Sequence, residues 1–211
     1  MLVFEYVARF PYHHVYCILT MLCQTHALEY TASLEKKGRF VLIIWPEHCL
    51  LGTPGHAVEP IVNKAIQEWA STNLKTISYV NKGMNCLTEM YSAIAAEVPL
   101  ANDPSTDLNY SLLNKLNRAD KVVICGQALS HCVNYTMRDI LANWTKSPSQ
   151  LILLTDGSSA VPSFEENAKK FVADMATAGC TVTTVENSSE AIELIEVEIF
   201  SKGILACIVL N

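Results

Sequence analysis

The chain has 211 residues, half of them apolar and only 17% charged. That balance fits one globular domain with a sizeable core and excludes a disordered or fibrous chain. Its formal net charge is −6 and no run of lysine or arginine exceeds two residues, so neither nucleic acid nor an anionic membrane surface is an expected partner.

The eight cysteines contain no CxxC pair and lack the dense spacing of a secreted disulfide scaffold, which points to a reduced, cytoplasmic setting. Residues 1–24 read as an atypical leader ahead of a domain spanning 25–211. The leader is apolar but broken by Glu5, Arg9, Pro11, His13 and His14, so it lacks the charged start and clean apolar stretch of a secretion signal. No run in the chain approaches the roughly 18–20 apolar residues of a membrane span.

In chain order, the spacing predicts a helix over Thr25–Lys37 closed by Gly38, a strand over Val41–Trp45, a helix over Ala57–Ala70 and a strand over Thr76–Val80. A helix over Thr88–Val98, a polar surface loop at Pro99–Thr106 and a helix over Tyr110–Asn117 follow. The second half reads as strand Val122–Cys125, helix Cys132–Trp144, strand Leu151–Thr155, helix Phe164–Ala178 and strand Thr181–Val185, with a terminal edge strand at Ile204–Leu210. Ser163 with Glu166 gives a capping-box pattern, and Gly179 is a helix stop. Strands alternating with helices predict an α/β fold: a three-layer sandwich whose mostly parallel sheet is covered by helices on both faces. Active groups then collect at the carboxyl ends of the strands.

Val122–Arg138 carries the most chemistry. A β-branched run meets Gly126, and after a short turn Cys132 opens an amphipathic helical pattern. A thiol at the first turn of a helix sits among unpaired amides and the positive end of the dipole, which favour the thiolate. Such a thiolate can attack a carbonyl while the same amides bind the oxyanion. His131 adjoins Cys132, but neighbours on a helix point about 100° apart, so it reads as a pocket-wall or surface residue rather than a dyad partner. Cys49 and Cys125 read as packing residues.

The turn around Cys132 resembles the nucleophile turn of the isochorismatase-like cysteine hydrolases, nearest their nicotinamidase branch. Three further stretches match in order: Trp45-Pro46-Glu47-His48-Cys49 followed by Gly52-Thr53-Pro54-Gly55, then Val80-Asn81-Lys82-Gly83 with Tyr91-Ser92-Ala93, then Leu153–Ala160. The likeness covers about residues 25 to 186. It implies an isochorismatase-like hydrolase fold and hydrolysis of the C–N bond of a small-molecule amide, such as nicotinamide, through a thioester. Cys132 is then the nucleophile, the backbone amides of Cys132 and Ala128 the oxyanion hole with a cis peptide before Ala128, and Lys82 the catalytic lysine. His48 matches a ligand of the branch's metal, zinc or another divalent ion.

The chain departs from the family at its amino terminus. The family's first strand ends in a general-base Asp and is followed by an Asp-x-His that completes the metal site. Here the first aspartate is Asp103, and no Asp-x-His occurs. Glu5 is the sole early carboxylate at a comparable strand end, and adjacent His13 and His14 diverge on a strand and cannot replace the pair. Two readings follow. One is an active hydrolase; the other is an inactive or N-terminally truncated relative serving as a binding or oligomerisation module, since an open central sheet edge invites pairing with another copy.

Overall fold

The computed structural model describes residues 13–37, 39–46, 48–50, 52–188 and 205–210. They fall into two compact units, Met1–Met90 with Ala96–Thr106, and Tyr91–Ala95 with Asp107–Asn211. Glu5 lies outside the described residues.

The second unit holds the sheet. Its elements are α3 (Tyr110–Leu116), β1 (Lys121–Gly126), α4 (Cys132–Ala142), β2 (Leu151–Leu154), α5 (Glu165–Thr177), β3 (Thr181–Thr183) and β4 (Leu205–Leu210). The strand order is β3-β2-β1-β4 and every pair is parallel, with Val123 opposite Ile152, Leu153 opposite Val182 and Val123 opposite Cys207. The predicted terminal strand therefore forms, as an edge strand beside β1.

Burial explains the pattern. Val122, Ile124, Leu151 and Leu153 face one side and join Val133, Met137 and Ile140 of α4 with Ala168, Phe171 and Met175 of α5. Those helix positions recur at three- and four-residue spacing, which is the stripe a helix needs to cover a sheet. Val123, Ile152 and Leu154 form a smaller cluster on the other face, so the central strands are apolar on both sides, as parallel strands are. Helix α5 ends where expected. Gly179 takes φ +87°, its N–H donates to Ala176 O, and the Cys180 N–H donates to Met175 O at 3.0 Å, the paired closing bonds that a left-handed residue permits.

The capping box does not form. Ser163 has φ +71°, Phe164 is the N-cap without a side-chain cap bond, and the Ser163 N–H donates instead to Glu165 Oε1 at 3.1 Å. The Phe164 ring packs edge-on against His131 at 4.7 Å.

The first unit carries α1 (His13–Lys37) and α2 (Pro60–Asn73). Helix α1 starts twelve residues earlier than expected, so His13 and His14 lie on a helix rather than a strand. Helix α2 starts three residues later than expected. Pro60 occupies its first turn, and the Glu59 carboxylate accepts the N–H groups of Ile61 and Val62 at 2.8 and 3.0 Å.

The expected strands Val41–Trp45 and Thr76–Val80 are not part of any ladder among the described residues. Their β-branched residues express a strand only beside a neighbour, and Val41, Ile44 and Tyr79 stay exposed. The expected helix Thr88–Val98 is replaced by longer-range bonds: Glu97 N–H to Glu89 O at 2.8 Å and Thr88 Oγ1 to Val98 O at 2.7 Å. A buried clasp sits in the same unit. The Glu97 carboxylate, fully buried, lies 3.6 Å from both the Lys37 ammonium and the Arg39 guanidinium. The Tyr30 hydroxyl accepts the Glu89 N–H at 2.7 Å, and burial pushes its pKa up to about 12. No described helix is long and apolar enough to cross a membrane.

Candidate active site

Cys132 is the first residue of α4, reached from β1 through the turn 126–131. Gly126 leaves the strand at φ +113°, a conformation that side chains disfavour, and the next peptide but one, Gln127–Ala128, is cis as the resemblance implies. The Ala128 carbonyl accepts the N–H groups of His131 and Val133 at 2.9 and 3.1 Å, which closes the turn. The N–H groups of Cys132 and Ala128 have no hydrogen-bond partner among the described residues. A partly buried thiol thus shares one turn with two unclaimed amide donors, a combination that can stabilise negative charge first on sulfur and then on an attacked carbonyl oxygen.

A second loop pins this turn from outside. The Gly126 N–H donates to Gly157 O and to Ser158 Oγ, both at 3.0 Å, and the Leu129 N–H donates to Ser159 O at 2.7 Å. The Ser159 hydroxyl donates to Gln127 Oε1 at 2.9 Å, and the Val161 N–H donates to Ser130 Oγ at 3.0 Å. These bonds span about thirty residues of sequence, and only the matched run Leu153–Ala160 signalled that the loop matters.

His131 corrects the surface alternative: it is 5% exposed, not solvent-facing. Its Nδ1 shares a 2.8 Å hydrogen bond with Ser130 Oγ, and its ring meets Tyr91 at 5.2 Å and Phe164 at 4.7 Å. Burial holds its pKa below the ordinary histidine value. Cys125 packs against the Val123 cluster as expected, whereas Cys49 is exposed at φ +51° and is not a packing residue.

Lys82 and His48 belong to the first unit. Lys82 follows an extended segment rather than a ladder strand, is half-buried, and donates to Met90 O at 3.1 Å. It lines a small pocket with Asn81, Asn85, Thr88, Ser105 and Thr106, a set that excludes His48. The His48 ring is exposed and its Nδ1 donates to Pro46 O at 2.7 Å, which leaves Nε2 as the free acceptor in the neutral ring. One imidazole does not make a zinc centre, which takes three or four protein ligands, and no three His, Cys, Asp or Glu residues converge among the described residues. The donor set described does not fit the implied metal.

No family model matches the chain. The nicotinamidase of Escherichia coli (strain K12) is 26% identical over 147 residues, 69% of this chain. The chain spans 60% of that relative's length. Among solved structures, a nicotinamidase/pyrazinamidase from Acinetobacter baumanii aligns with TM-score 0.49 at 18% identity, covering 69% of this chain and 61% of that one. Yeast nicotinamidase bound to the inhibitor nicotinaldehyde aligns with TM-score 0.49 at 23% identity, covering 68% and 59%. The pyrazinamidase of Pyrococcus horikoshii, in complex with zinc, aligns with TM-score 0.42 at 20% identity, covering 74% and 69%.

Sheet, turn and helix define an α/β domain with a cysteine heading the helix after a central parallel strand. Over 69% of its length the chain is similar in sequence to that bacterial nicotinamidase.

Proposed function

We propose that the protein is a cysteine-dependent hydrolase acting on the C–N bond of a small amide of the nicotinamide type. The observation that carries the reading is the pairing of Cys132, at the start of α4, with N–H groups of Cys132 and Ala128 that have no partner among the described residues. In the proposed reaction the Cys132 thiolate adds to the amide carbonyl, and the two N–H groups hold the oxyanion. Collapse breaks the C–N bond; the nitrogen takes a proton and leaves as ammonia, and a thioester remains. Water then adds to the thioester, releasing the carboxylic acid and returning the thiol. Lys82 is proposed as the electrostatic partner of the thiolate.

His48 is proposed as one ligand of a divalent metal site whose other ligands are not among the described residues, and no step is assigned to a metal. The catalytic domain is proposed to run over residues 25–211 in a cytoplasmic setting, with a small amide as partner.

The test is ammonia release from nicotinamide by the full chain, compared with Cys132→Ala and Lys82→Met. Cys132→Ala should abolish release, and Lys82→Met should slow it about a hundredfold, the scale of one lost electrostatic contact in a reaction site. Release that survives Cys132→Ala overturns the assignment. No release from the parent chain, with Cys132 unreactive, supports the alternative of an inactive relative serving in binding or oligomerisation.

A further inference from the structure

The turn before Cys132 contains a buried polar pair that the proposed chemistry does not use. Ser130 is fully buried and His131 nearly so. Ser130 Oγ accepts the Val161 N–H at 3.0 Å and shares a 2.8 Å hydrogen bond with His131 Nδ1. Ser130 O also accepts the Asn134 amide at 3.2 Å, one turn into α4. Around the imidazole stand the Tyr91 ring at 5.2 Å and the Phe164 ring at 4.7 Å, and Tyr135 stacks on Tyr91 at 5.5 Å.

A serine and a histidine buried this deeply cost free energy unless their polar atoms are paired, because each loses its hydration. Here the pairing joins three things: the residue before the nucleophile, the turn that presents the oxyanion amides, and the loop carrying Val161. The aromatic walls fix the ring plane, so Nδ1 has one direction in which to bond. Hydrogen-bonded polar groups of this kind specify one arrangement where an apolar core would tolerate several.

We propose that Ser130 and His131 are positioning residues: the Val161–Ser130–His131 hydrogen-bond chain locks the turn so that the amides of Ala128 and Cys132 face the same reacting atom. This rests on Cys132 being the nucleophile. Neither residue touches the substrate; both act through the backbone between positions 128 and 132. Positioning groups of this type matter because small displacements of a reacting group lower rates steeply.

The experiment measures alkylation of Cys132 by iodoacetamide at neutral pH, by mass spectrometry on the folded full chain, for five proteins. These are the parent, Ser130→Ala, His131→Phe, the double variant, and His131→Asn. Ser130→Ala removes the shared oxygen, and His131→Phe keeps the ring but removes Nδ1. His131→Asn returns a hydrogen-bonding atom near the Nδ1 position. Each of the first two should slow Cys132 alkylation about fivefold, the ratio that one net hydrogen bond represents. The double variant should be no slower than either alone, since both cut the same chain. His131→Asn should recover most of the rate. Thermal unfolding of the same proteins separates positioning from bulk stability: a merely structural role lowers the melting temperature without a selective effect on Cys132 or rescue by asparagine.

If Cys132 in the parent is among the slowest of the eight cysteines, the nucleophile assignment fails and the positioning role falls with it. If Cys132 is fast in the parent and equally fast in Ser130→Ala and His131→Phe, the positioning role alone is wrong.

Discussion

Replacing Gly157 by alanine should disturb the turn before Cys132 from the loop that pins it. An added Cβ would lie 3.2 Å from the Cys125 Cβ, 3.6 Å from the Leu154 Cβ and 3.8 Å from the Leu154 carbonyl oxygen. Two effects oppose each other. Gly157 does not occupy the left-handed region, so alanine is conformationally allowed and stabilises by about 0.4–1 kcal/mol through a less flexible unfolded chain. Against this, the closest contact is with a Cβ fixed to the backbone of β1, not with the far end of a flexible side chain. Overpacking against such an atom costs about 1–3 kcal/mol. The second effect is larger, so a net loss of roughly 1–2 kcal/mol is expected. The displacement should also travel, because the Gly126 N–H donates to Gly157 O at 3.0 Å immediately before the turn. Urea unfolding followed by circular dichroism measures the first part, and iodoacetamide labelling of Cys132 measures the second. A variant more stable than the parent, with unchanged Cys132 reactivity, would refute the reasoning.

Further outcomes follow from the same contacts. Phe171→Ala removes a fully buried ring that packs on the sheet and lies 5.6 Å from the Arg138 guanidinium; unfolding free energy should fall by about 3–5 kcal/mol, and a loss under about 1 kcal/mol contradicts the core assignment. His131 has its folded-state pKa lowered by burial, so the unfolded chain takes up a proton that the native chain resists. The stability it contributes is therefore present above the unfolded pKa and lost as pH falls toward the folded one. The stability difference between parent and His131→Phe should shrink from about pH 7.5 to pH 5, and a constant difference argues against a buried neutral imidazole.

The second unit was legible because its signals are local. Leu151–Leu154 is a bare apolar run, and all four residues are buried. The spacing of Val133, Met137 and Ile140 marks the covered face of α4, and Gly179 stops α5 through its own backbone. The helix start at Cys132 agreed with the expectation to the residue. Val41–Trp45 and Thr76–Val80 were misread because a strand is a property of a pair, and β-branched composition cannot reveal whether a partner stands beside it. The helix expected over Thr88–Val98 failed for the opposite reason: bonds such as Thr88 to Val98 close a loop that helical spacing alone does not reveal. At the site, residue order exposed Cys132, but the clasp from Ser130 to Val161 crosses 31 positions and leaves no periodic trace. Helical spacing leaves His131 as a pocket-wall or surface residue, and only the tertiary contacts of its ring with Tyr91 and Phe164 show it enclosed.

The central claim is that Cys132 forms a covalent acyl intermediate, and acid-quench mass spectrometry tests it most directly. The full chain is mixed with nicotinamide, quenched in acid during turnover, digested and mapped. The account predicts a nicotinoyl thioester on the peptide containing Cys132 and on no other cysteine peptide, absent from Cys132→Ala. Ammonia released at the parent rate with the acyl group on Cys49, Cys125 or any residue other than Cys132 would contradict it.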